Sequence, residues 1–63
     1  MTDVRRAMEA ALRILAAFRA LEPPDAYDID VLREFAPEST LPPDELACEV
    51  VIRILKPREA PEN

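Results

Sequence analysis

The 63 residues carry a formal net charge of −5, are 49% apolar, and include no His, Gly or Trp and a single Cys. Without Gly no loop lets the backbone approach a phosphate, which excludes P-loop and dinucleotide fingerprints. Without His the commonest general base and His-containing zinc sites are gone, and one Cys closes no internal disulfide.

Proline sets the punctuation, at Pro23-Pro24, Pro37, Pro42-Pro43, Pro57 and Pro61, and the intervening segments read as helix. The first runs from about Asp3 to Leu21, with Thr2 as N-cap. Val4, Met8, Ala11, Leu15 and Phe18 recur at spacings of four and three, and Ala7, Leu12, Ile14 and Leu21 widen the stripe to about 180°. Arg5, Glu9 and Arg13 lie opposite at i, i+4, where they pair along the surface. Six Ala raise the intrinsic propensity.

The second helix is expected from Pro24 to Phe35, with Pro24 at its first position and Asp25 and Asp28 favoured by the helix dipole. Tyr27, Val31, Leu32 and Phe35 make its apolar face, and Pro37 pushes Ala36 out of the helical region. The third spans Pro43 to about Leu55, with Asp44 and Glu45 in its first turn. Its expected buried face holds Leu46, Ala47, Val50, Val51, Ile54 and Leu55, and Glu49 pairs with Arg53 at i, i+4. Val50-Val51-Ile52 could form a strand by propensity, but a lone strand has no partner here, so helix is the reading. PPDAYDIDVLREF over PPDELACEVVIRI gives a weak internal match at an offset of 19 residues.

The expected fold is therefore all-α, a small three-helix domain over residues 1–56 with one long and two short helices. Residues 57–63 read as a flexible tail. Leu15, Phe18, Phe35, Val50 and Ile54 are its expected shared core, with Cys48 as a small buried residue on the rim. A chain of this size buries only roughly 60% of its unfolded surface, so dimerisation is one way to complete it.

Charge is distributed unevenly. Between Glu22 and Glu49 nine carboxylates stand against one base, Arg33, for about −8, while residues 1–21 sum to +2. Part of this complements helix N-termini. Asp28, Asp30, Glu34, Glu38 and Glu49 are the candidate acidic face for a basic protein partner. Met8, Leu12, Leu15 and Ile52 are candidates for an apolar interface, since excess apolar surface marks contact sites.

Other chemistries fit poorly. Asp25, Asp28 and Asp30 lack the spacing and the Gly of a calcium loop, so no metal is expected. Paired carboxylates need a concave pocket that three short helices hardly offer, so no catalytic residue or cofactor is expected and the chain reads as a non-enzyme. A helix-turn-helix would present Asp44, Glu45 and Glu49 to a polyanion, which argues against direct nucleic-acid binding. Arg13 and Arg19 interrupt any N-terminal leader, and no stretch approaches the ~20 apolar residues that cross a bilayer, so membrane association is not expected and a cytoplasmic address is.

Seven Arg against one Lys, with ten Ala, fits a GC-rich bacterial or phage genome. The expected function is an acidic protein-binding regulator or inhibitor covering a basic, nucleic-acid-binding type of surface, as phage and mobile-element antagonists do. A structural accessory subunit or self-associating module (a homodimer) and an antitoxin-like partner are the alternatives.

Overall fold

The computed structural model describes residues 3–56 and shows three helices: α1 over Val4–Arg19, α2 over Ala26–Phe35 and α3 over Pro43–Leu55. The described residues are 72% helical and contain no strand. The expected N-cap Thr2 and the expected tail 57–63 lie outside the described residues.

Local chemistry sets the ends. Asp3 holds the N-cap position of α1 without a side-chain cap bond. α2 starts later than expected: Asp25, not Pro24, is the boundary residue, and its carboxylate accepts from the Tyr27 N–H at 2.9 Å. That contact satisfies one of the orphan donors of the first turn. Pro43 opens α3, where a missing N–H costs nothing.

The end of α1 is unusual. Leu21 N–H bonds the Phe18 carbonyl and Glu22 N–H bonds the Ala17 carbonyl, the crossed pair of a Schellman cap. The cap needs a left-handed residue, and in a chain without Gly that residue is Leu21, at φ 58°. A left-handed L-residue costs roughly 1–2 kcal/mol. Leu21, expected on the inner stripe, is instead 93% exposed.

Alanine governs the packing. The wholly buried face of α1 is Ala7, Ala10, Ala11 and Ile14. At 100° per residue this face lies roughly 70° around the axis from the expected seam of Val4, Met8, Ala11, Leu15 and Phe18. The separation of two packed helices depends on the side chains between them, so three Ala let the neighbours come close. Against them sit Val31, Leu32 and Ala36 from α2 and its end, and Leu46, Ala47 and Val50 from α3. Leu15, Phe35 and Ile54 are half-buried at the margin of this cluster. Phe18 leaves the core, at 39% exposure: it stands in the last turn of α1, one turn beyond Ile14, the last buried residue of the helix.

The core is accordingly thin: Ile14, Leu32, Leu46 and Val50 are its largest fully buried side chains. Leu32→Ala is expected to cost about 2–5 kcal/mol, enough to abolish the cooperative melt of so small a domain. Phe18→Ala should cost less than half as much and keep a cooperative transition. Thermal unfolding followed by circular dichroism separates them, and equal losses would return Phe18 to the core.

Candidate protein-interaction surfaces

The acidic residues divide into two groups once the chain is folded. Asp28 belongs to the inner face of α2, in register with Val31, Leu32 and Phe35 at i+3, i+4 and i+7. It is 4% exposed, so it is no part of an acidic surface. Arg13 of α1 reaches it, with Nε at 3.2 and 3.3 Å from the two carboxylate oxygens. Arg13 therefore pairs across helices with Asp28; no contact with Glu9 along its own helix is found. Among the described residues no buried side-chain polar atom lacks a partner, which is how a core this small holds a carboxylate.

Beside this pair, Arg6 of α1 donates to the Tyr27 hydroxyl, and its guanidinium lies 5.7 Å from the centre of the Tyr27 ring. Tyr27, expected on the apolar face of α2, is thus turned outward and more than half exposed. Asp28 takes the inward position in its place.

Glu38 and Glu49 are held by one nitrogen of Arg53, at 2.7 and 2.8 Å. The bond from Arg53 draws the Glu38 carboxyl below its ordinary range, helped by a backbone hydrogen bond, and Glu38 in turn raises Arg53. The trio is at the surface, so it contributes little to stability. Its role is positional: it fixes the connector between α2 and α3 onto α3. Arg33 adds a contact to the Leu41 carbonyl at 3.4 Å, and Ser39 Oγ accepts from the Leu41 N–H.

Asp30 and Glu34 are exposed, one turn apart on the outer side of α2. Of the acids singled out by sequence, Asp28 is thus engaged by Arg13, and Glu38 and Glu49 by Arg53.

The apolar candidates have a clearer geometry. Leu12, Leu15 and Phe18 of α1 and Cys48 of α3 line an open groove of about 1020 Å³ between the two helices. Arg19, Asp44 and Glu45 also line it, and among the described residues none of these three forms an ion pair. Leu12 is 52% exposed, and Met8, one turn before it, is half-buried. Ile52 is 59% exposed and one turn beyond Cys48 on α3. Cys48 itself is exposed, not a buried rim residue, because Leu46, Ala47 and Val50 occupy the inward arc. Sequence reasoning missed Phe18, Leu21 and Cys48 as surface residues. The alanines at 7, 10 and 11 were the signal that could have revealed the rotation.

Among the described residues no group of three or more Cys, Asp or Glu is placed to hold a metal ion. No described helix is long and apolar enough to cross a membrane. No protein-family model, curated protein or solved structure matches the chain.

The Arg13–Asp28 pair gives a test of the buried carboxylate. Arg13→Met should cost about 1–3 kcal/mol, because it strands a charge in the core. Adding Asp28→Leu should recover most of that loss, since the second change removes the stranded group. Chemical denaturation of the two variants measures both values; no recovery in the double variant would place Asp28 in solvent.

Proposed function

We propose that this chain is a non-enzymatic protein-binding module, a regulator or inhibitor that applies an acidic face to a basic surface on another protein. The observation that supports this reading is charge. Two outside bases, Arg13 and Arg53, fold onto the segment from Glu22 to Glu49, yet its nine acids still exceed the three bases by six. Glu22, Asp25, Asp30 and Glu45 are all exposed. Like charges held on one small surface repel, and a cationic partner relieves that repulsion.

The candidate contact residues are Asp30 and Glu34 on α2, extended by Glu22 on the connector before it. Glu38 and Glu49 are secondary on this reading, because the cationic Arg53 beside them offsets part of their charge. Asp28 drops out with its burial. A basic surface that itself binds nucleic acid is the partner class of matching charge, in which case the chain would act by occlusion.

Immobilised protein tests this directly. A partner retained at about 0.1 M salt should be released as salt approaches 1 M, because the Debye length shrinks from about 10 Å to about 3 Å. Asp30→Lys with Glu34→Lys should slow its association most, since charge complementarity acts largely on the on-rate. A partner held equally at both salt concentrations, and equally fast by the double variant, would defeat the acidic-face reading.

A further inference from the structure

We propose that the groove between α1 and α3 is closed by a second copy of this chain, in a two-fold pair that leaves the α2 side of each copy free. A two-fold interface joins a patch to itself, so the patch has to carry both halves of every contact. This one does. Its centre is apolar, through Leu12, Leu15 and Phe18, and it is flanked by one cation, Arg19, and two anions, Asp44 and Glu45. All three charges are without ion-pair partners among the described residues. In the pair, Arg19 of each copy meets Asp44 and Glu45 of the other, and the contact forms twice.

The patch sums to only −1 against −5 for the whole chain, so two copies can meet there with little net repulsion. A purely basic partner would find Arg19 opposing it here. The groove and the acidic α2 side therefore suit different occupants. They also diverge around α1: Arg6 and Arg13, which reach α2, point on average about 140° from Leu12, Leu15 and Phe18.

Leu21 supplies the second argument. It is 93% exposed, one residue beyond Ala20 at the groove, and is held in a left-handed conformation that disfavours any residue with a Cβ. Gly, or sometimes Asn, is the usual residue at that cap position, and the cap itself makes no use of a large apolar side chain. A protruding leucine beside an apolar groove makes a knob and a hole on one patch, which a two-fold axis fits together reciprocally. The apolar row also continues along α3 through Ile52 and Leu55, both exposed on the same side as Cys48.

Sedimentation equilibrium from low micromolar to millimolar concentration is the test, with circular dichroism to confirm folding of each variant. The wild-type mass should rise from 7.1 kDa towards twice that value with concentration. Arg19→Glu and Glu45→Arg should each weaken pairing about tenfold or more, while the two together restore it, as a directly paired charge demands. Leu21→Gly should raise the melting temperature of the dilute monomer, because the cap strain is relieved, and yet weaken the dimer. A residue needed only for the cap would move both in the same direction. A mass fixed at 7.1 kDa throughout, or a charge swap that restores nothing, overturns the proposal. So does a monomer whose groove takes up an added basic amphipathic peptide instead.

Discussion

The close approach of helices over the alanine face of α1 is the constraint on which the rest depends. Ala7, Ala10 and Ala11 each bury one methyl group, so their direct hydrophobic gain is small. Their effect is geometric. With no bulk between the axes, Ile14, Leu32, Leu46 and Val50 reach one another and form the core. The larger residues of α1 are then carried to the shoulders, where three helices leave them incompletely covered. Exposed Leu12 and half-buried Leu15 and Met8 follow from that choice. A thin core and an uncovered apolar groove are two results of the same packing.

This arrangement also explains which charges are engaged. α2 packs closely enough that its inner face, read at i, i+3, i+4 and i+7, includes Asp28. A carboxylate there is tolerable because Arg13 extends over it from α1 while its own guanidinium stays partly in solvent. Arg53 performs the surface counterpart, gathering Glu38 and Glu49 and holding the connector to α3. The acidity left over is concentrated on the outer side of α2 and at the start of α3. On the proposed reading those two regions have separate uses, one facing a basic partner and the other facing a second copy.

How much of this was legible in the sequence depended on whether local chemistry decides it. Prolines set the breaks, and α3 begins and ends where Pro43 and Leu55 predicted, because proline acts within one or two residues. The rotation of α1 was not legible in the same way. Apolar positions spread over about 180°, and only the partners determine which half of such a stripe is buried. Asp28 reads as a dipole-favoured surface acid until Arg13, fifteen residues away, is brought to it. Leu21 hid the end of α1 for a simpler reason: the usual glycine signal was missing. For the candidate surfaces, Leu12, Leu15 and Ile52 were picked out by their excess over what two short helices cover. Among the acids, the Glu49–Arg53 pair was legible as a local i, i+4 contact, whereas the engagement of Asp28 by Arg13 and of Glu38 by Arg53 spans fifteen residues and is set by the tertiary fold.

The central claim is that α1 packs through its alanines, and overfilling one of them tests it most directly. Equilibrium urea unfolding should compare Ala11→Leu with Ala16→Leu at low micromolar concentration, since Ala11 is wholly buried and Ala16 is exposed on the same helix. Ala11→Leu is expected to lose about 1–3 kcal/mol by forcing the helices apart, whereas Ala16→Leu should stay within about 0.5 kcal/mol of the wild type. An Ala11→Leu protein as stable as the wild type, or more stable, would show that the helices do not meet over the alanine face.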